Sequence, residues 1–115
     1  MLPIIKSSTE VSRVFTQGKR LNAHSLTLLV YESEEQHGHG GRVAFIAGKK
    51  LGCAVWRNRA KRRLRAVCRE LGGPWEGHDV VFMARRSTAD DPYVKLLADG
   101  ERLLSRAGLR KVEAK

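Results

Sequence analysis

The chain has 115 residues, 42% of them hydrophobic, and a formal charge of +10 from 22 Lys and Arg against 12 Asp and Glu. This length can bury a core without staples, and no apolar run approaches the roughly 20 residues of a membrane span, so no membrane segment is expected. So large a positive excess instead implies a polyanionic partner bound through counterion release.

The opening MLPIIK is too short, and its charge order wrong, for a secretory signal, which makes the cytoplasm the expected location. Ser7, Ser8, Thr9 and Glu10 read as a capping box, with Ser7 as N-cap and Glu10 reaching back from three residues on. They predict a first helix that carries Val11, Val14 and Phe15 on one side. Gly18 should end it in the left-handed conformation glycine adopts most readily. Leu26 to Glu32 reads as a strand, with a possible short one at Lys19 to Ala23. The polar, Gly-rich segment SEEQHGHGG (33–41) predicts an exposed loop, closing a hairpin with a buried strand over Arg42 to Ile46.

Gly48 and Gly52 bracket a basic turn of Lys49, Lys50 and Leu51. A helix should then begin between Ala54 and Asn58 and end at Gly72, Gly73 and Pro74. Ala60, Leu64, Val67, Cys68 and Leu71 fall on one apolar stripe of this helix at i, i+4, i+7, i+8 and i+11. The other face carries Arg57, Arg59, Lys61, Arg62, Arg63, Arg65 and Arg69, seven of the thirteen side chains from 57 to 69, with no acid among them. Guanidinium forks match phosphate oxygens, so nucleic acid is the expected polyanion rather than a solvated helix surface. Asp79 to Ala84 is a continuous apolar strand. Asp91 as N-cap and Pro92 at the first helical position open a last helix with Tyr93, Leu96, Leu97, Leu103, Leu104 and Ala107 at core spacing. The tail from Gly108 should fray. The order α, β, β, α, β, α with one extra short strand implies a single α+β domain.

No side-chain set suggests protein-borne catalysis. His24, His37, His39 and His78 lack the Cys or carboxylate company of a metal site. Asp79, Asp90 and Asp91 read as turn and cap residues. The GKKLG turn lacks the spacing of a phosphate-binding nucleotide loop. Cys53 and Cys68 have no metal-finger or CxxC spacing and read as reduced structural residues.

The stretch AFIAGKKLGCAVWRNRAKRRLRAVCRE (44–70) closely resembles the signature of the bacterial ribonuclease P protein subunit, which runs strand, KK, a glycine, AV, then RNR, KR and a further Arg. VFTQGKR (14–20) and HDVVFMARR (78–86) match that family's first helix and its last strand with a basic exit. The resemblance implies an α+β fold with a four-stranded mixed sheet, three helices and a left-handed crossover containing the Arg-rich helix, a handedness that runs against the general preference. It also implies that a catalytic RNA subunit cleaves precursor tRNA with magnesium ions, while the protein binds that RNA and the single-stranded 5′ leader.

Carried over by position, the RNA-binding set is Lys49, Lys50, Arg57, Asn58, Arg59, Lys61, Arg62 and Arg65. The leader cleft is lined by Phe15, Val11 and Leu29. Phe15 is either a stacking platform for a base or a core contact of the first helix. The family often has aromatics where Val11 and Leu29 stand, which reduces stacking here. Trp56 is expected to cover the helix start rather than to stack on RNA. A structural RNA-binding protein such as a ribosomal component would explain the charge but not the order of the motif. A DNA-binding module is disfavoured because Asn58 is the only amide among the arginines able to read base edges.

Overall fold

A computed structural model describes residues 4, 5, 7–32 and 41–109. The continuous apolar run Val80, Val81 and Phe82 must be covered on both faces, and strand β4 (His78–Ala84) accordingly lies inside the sheet with all three at 0% exposure. The other strands are β1 (Lys19–Asn22), β2 (Leu26–Glu32) and β3 (Arg42–Ile46). Their spatial order is β1-β2-β4-β3. β1 and β2 form an antiparallel hairpin, β2 pairs antiparallel with β4, and β3 pairs parallel with β4.

The hairpin expected between Leu26–Glu32 and Arg42–Ile46 is therefore not formed, because β4 stands between them. Of the expected loop, residues 33–40, with His37 and His39, lie outside the described residues, as does the tail from 110.

Side-chain alternation divides the strands between two cores. Leu26, Leu28, Val30, Val43, Val80 and Phe82 face helices α2 (Ala54–Glu70) and α3 (Tyr93–Arg106), which contribute Ala60, Leu64, Val67, Cys68, Leu96, Leu103 and Leu104. Leu29, Ala44 and Val81 face the other way, against Val14 of α1 (Ser8–Gln17). Phe82 anchors the larger core, stacked against Phe45 and Trp75 at centroid distances of 5.5 and 6.1 Å. Full burial of such a ring contributes roughly 1.5–3 kcal/mol.

The termini of the helices follow local chemistry with two departures. Ser7 Oγ accepts from the Glu10 N–H at 3.4 Å, as the capping box requires, and the Glu10 carboxylate takes Arg42 at 2.8 Å. Gly18, however, is extended at φ −78° and ψ 165° rather than left-handed. Its lack of a side chain is needed for space, since a Cβ would stand 2.4 Å from the Val14 carbonyl oxygen and 2.9 Å from that of Val30. α2 ends as expected: Gly72 has φ +92°, and the Gly72 and Gly73 N–H groups donate to Arg69 and Cys68 carbonyls. The second departure is at α3, where Pro92 is the cap residue and no side chain caps. Asp91 sits one position too early, its backbone carbonyl held by Arg63.

An ion network ties α1 to the sheet. Arg42 donates through Nε and Nη2 to the Asp79 carboxylate at 3.2 and 2.9 Å, and Nη2 also meets Glu10. Glu10 first, and Asp79 with it, hold the Arg42 proton more tightly than usual against the opposing cost of burial. Asp79, 3% exposed, is thus a buried acceptor rather than a turn residue.

The cysteines also differ from each other. Cys53 is exposed at the cap of α2, where the backbone N–H groups of Trp56 and Val55 draw its thiol below the ordinary 9.0. Cys68 is buried, and desolvation raises its thiol from 9.0 to about 12. Since the folded state holds the Cys68 proton more tightly, its contribution to stability is complete below pH 9.0 and is lost as pH rises toward about 12. Native protein at neutral pH should therefore be alkylated at Cys53 alone, with Cys68 reacting on unfolding. Cys68→Ala should show a shallower alkaline loss of stability than the unaltered chain in denaturant titrations. Rapid labelling of both thiols in native protein would contradict this assignment.

Candidate nucleic-acid interface

The 17 residues of α2 extend roughly 25 Å at the usual 1.5 Å rise. Opposite the buried stripe, Asn58, Arg62, Arg65 and Arg69 recur at i, i+4, i+7 and i+11, and all four are exposed. Arg59 is exposed beside them. Its contact with Asp90 is 4.0 Å long, with 54% and 68% of the two side chains in solvent, and such a pair contributes little. The Arg65 guanidinium lies 5.6 Å from the centre of the Phe45 ring, a contact that steadies it without using its N–H donors. Lys61 flanks the stripe, half-buried.

Two arginines of the expected outward face do not join it. Arg63 is half-buried and donates Nη1 to the Thr88 carbonyl at 2.8 Å and Nη2 to the Asp91 carbonyl at 2.6 Å. Arg57 is also half-buried, with its Nε enclosed and lacking a hydrogen-bond partner. Trp56 packs against the larger core and alongside Gly52, so it covers the helix start.

Parallel pairing brings further charge to the same end of the sheet. Ile46 is the register partner of Met83, so β3 and β4 leave the sheet side by side. Three residues beyond that pair stand Lys49, opening a 3-10 turn over Lys49–Leu51, and Arg86. Lys49, Lys50, Arg85 and Arg86 are all exposed. The β1–β2 turn ends here as well, because Leu26 pairs with Ala84.

A pocket of about 430 Å³ lies among His24, Arg85, Arg86, Ser87 and Asp90. Its walls are tied together. Ser87 Oγ donates to the His24 carbonyl at 3.1 Å, Thr88 Oγ1 donates to the Ser25 carbonyl, and the Arg85 N–H donates to Thr88 Oγ1 at 2.7 Å. Arg85 Nη1 approaches Asn22 Oδ1 and Thr27 Oγ1, each at 3.4 Å. The pocket lies outside the site set read from the sequence. The signal for it was the Arg pair after the last strand, but only the pairing of β3 with β4 places that pair beside Lys49 and Lys50.

On the α1 face, register aligns Asn22, Thr27, Met83 and Ile46 across all four strands. α1 lies over the neighbouring row, where Leu29, Val81 and Ala44 meet Val14. Val11 is half-buried at the margin of this cluster, and Phe15, one helical turn on, is 39% exposed. Exposure of that size separates Phe15 from the core contact that was its alternative. Leu29 is 1% exposed and packs with Val14 of the helix, so it cannot line the expected leader cleft as a contact.

Among the described residues, no group of three or more His, Cys, Asp or Glu side chains could hold a metal ion, and no helix is long and apolar enough to cross a membrane.

A family model described as Ribonuclease P matches residues 3–108. A ribonuclease P protein component from Symbiobacterium thermophilum is 39% identical over 113 residues, spanning 95% of this chain and 94% of that one. Another from Syntrophomonas wolfei is 37% identical over 106 residues, spanning 91% and 87%. In fold, the chain is similar to the ribonuclease P protein of Staphylococcus aureus, with a TM-score of 0.78 at 21% identity over 95% of this chain and 98% of that one. The protein from Thermotoga maritima gives 0.70 at 20% identity over 96% and 98%.

The exposed arginines should act together. Replacing Arg59, Arg62 and Arg65 with Ala should weaken binding to structured RNA and reduce the slope of log K against log salt by about one for each phosphate no longer neutralised. The apolar stripe is untouched, so the circular dichroism should remain native. An unchanged salt slope would remove this face from the interface.

Proposed function

Since this chain belongs to the ribonuclease P protein family, and so is the protein component of a tRNA-processing ribonucleoprotein endonuclease, we propose that its α2 face holds the catalytic RNA while the groove beside α1 holds the 5′ leader of precursor tRNA. The observation that carries this reading is the gathering of Lys49, Lys50, Arg85 and Arg86 at one end of the sheet, between the Arg stripe of α2 and the row Asn22, Thr27, Met83 and Ile46, which is exposed at Asn22, half-buried at Met83 and Ile46 and closed at Thr27. Lys49, Lys50, Asn58, Arg59, Arg62 and Arg65 meet phosphates of the catalytic RNA, with Lys61 at the flank. Arg57, half-buried, supports the start of the helix.

The leader runs as a single strand along the groove, one base resting on Phe15 and its phosphates directed to Arg85 and Arg86. An aromatic face and flanking cations suit such a strand, because every base presents a π-face whatever its sequence. Val11 adds an apolar margin.

Magnesium belongs to the RNA partner in this proposal. Among the described residues no group of three or more His, Cys, Asp or Glu fits the ion, and the part proposed for the protein is to bind, orient and neutralise charge. Its place of work is the cytoplasm, where precursor tRNA is available.

The protein freed of RNA should not cleave precursor tRNA, and adding it to the catalytic RNA should restore cleavage at magnesium concentrations too low for the RNA alone. Cleavage by rigorously RNA-free protein, or no stimulation at low magnesium, would overturn the proposal.

Phe15→Ala should lower affinity for leader-bearing precursor tRNA by about 1–3 kcal/mol, the range for removing an aromatic ring from beneath a stacked base. Its thermal stability should fall much less than the about 3–5 kcal/mol expected for truncating a buried Phe. Equal losses for leader-bearing and leaderless substrate would show that Phe15 does not touch the leader.

A further inference from the structure

We propose that Arg63 is a positioning residue, which does not touch RNA but clamps the 85–91 loop to α2 and thereby sets where Arg85 and Arg86 meet the leader. This rests on the reading above that the leader passes that loop. Arg63 is of the same type as Arg62 beside it, though only Arg62 falls on the RNR, KR and further Arg positions of the motif, and the surroundings of Arg63 are different. Arg62 is exposed, whereas Arg63 is half-buried and spends both terminal nitrogens on backbone carbonyls, Thr88 at 2.8 Å and Asp91 at 2.6 Å. A planar fork can span two such acceptors, and a point-like ammonium cannot do so equally well.

The segment it holds is a closed unit. The Asp90 and Asp91 N–H groups both donate to the Ser87 carbonyl, and Thr88 bridges the Arg85 N–H to the Ser25 carbonyl. Thr88 and Ala89 are buried, at 0% and 6% exposure, so the loop is seated at its centre while Arg85 and Arg86 project from its start. Arg63 enters from the α2 side and the β1–β2 turn from the other. Without Arg63, two carbonyls lose charge-assisted partners, and the loop keeps its tether to the turn and the weak, exposed Arg59–Asp90 contact with α2. The helix that meets one RNA and the loop that meets the other are thus joined chiefly through this side chain, since the Arg59–Asp90 contact beside it is 4.0 Å long and exposed.

The test uses the full chain with Arg63→Met, which keeps an apolar stem of similar length but donates nothing, and Arg63→Lys, which keeps the charge. Affinities are measured for the catalytic RNA across a salt series, and for precursor tRNA with and without its leader by the reconstituted complex. Arg63→Met should leave the salt slope for the catalytic RNA unchanged and reduce the preference for leader-bearing substrate by roughly tenfold, the scale of one charge-assisted hydrogen bond. Arg63→Lys should recover part of that preference. In an Arg85→Ala, Arg86→Ala background, Arg63→Met should cost no further preference, since residues that act through one another are not additive.

A salt slope lower by about one would show that Arg63 meets phosphate directly and would overturn the proposal. So would an equal affinity loss for both substrates, the mark of a merely structural residue, or a full additional loss in the Arg85→Ala, Arg86→Ala background. If that background itself leaves leader preference intact, the leader does not pass this loop, and both the placement and the role of Arg63 fall.

Discussion

The rest of the structure depends on β4 being buried on both faces while pairing with both neighbours. Val80 and Phe82 pack toward α2 and α3, Val81 packs toward α1, and none is exposed. A strand of that kind cannot sit at an edge, where one row of backbone groups would go unpaired and one side would lose its cover. Once it lies between β2 and β3, the parallel partner can be reached only by a long crossover, and α2 is that crossover. The Arg-rich helix is placed by what β4 requires of its surroundings, not by its own charge.

Within a chain so rich in cations, tertiary partners decide what each one does. Arg42 is engaged by Glu10 and Asp79, and Arg102 by the buried Asp99, which also accepts from Ser25 Oγ at 2.7 Å. Arg63 serves backbone carbonyls. Arg42 and Arg63, both half-buried, hold elements together, whereas Arg102 is exposed and pairs within α3. Deleting one partner of a buried ion pair such as Arg42–Asp79 costs on the order of 3–5 kcal/mol because the other charge is left without compensation. By contrast, Arg62 and Arg69 stand in solvent, where neighbouring like charges repel weakly and salt screens them further. They contribute little to the fold and remain available to phosphates. A net charge of +10 is thus divided between cations that build the molecule and cations that its partner neutralises.

How much of this was legible in the sequence follows from how local each determinant is. The bounds of β2 and β3, the Ser7 cap, the glycine end of α2 and its buried stripe depend on residues within a few positions of one another, and all appear as expected. The hairpin of β2 with β3 failed because β4, more than 30 residues later in the chain, takes the place between them. Gly18 was correctly placed as a stop but for the wrong reason, since the constraint is the space left between the Val14 carbonyl of its own helix and the Val30 carbonyl of β2. Leu29 looked available and lies under α1. Arg62 and Arg63 are identical in type and adjacent; the motif singles out Arg62, but only the fold shows that Arg63 is clamped on the Thr88 and Asp91 carbonyls. The order of residues 44–70 carried the family, because spacing over so many positions survives where periodicity is ambiguous.

The two proposed RNA surfaces lie on opposite faces of the sheet, α2 on one and the groove beside α1 on the other, and meet only at the end where β3 and β4 exit. Layers packed on a sheet stand about 10 Å from it, so the two proposed surfaces are held apart by a body whose thickness the core fixes. Close packing makes that distance resistant to change, because an interior at crystal-like density transmits displacement rather than absorbing it. Arg42 sets the seat of α1 across β3 and β4, and Arg63 sets the exit loop against α2. Position, rather than a reactive side chain, is what this fold contributes under the proposed function: a leader threaded, as proposed, between Phe15 and the basic exit would have its direction relative to α2 determined before cleavage begins.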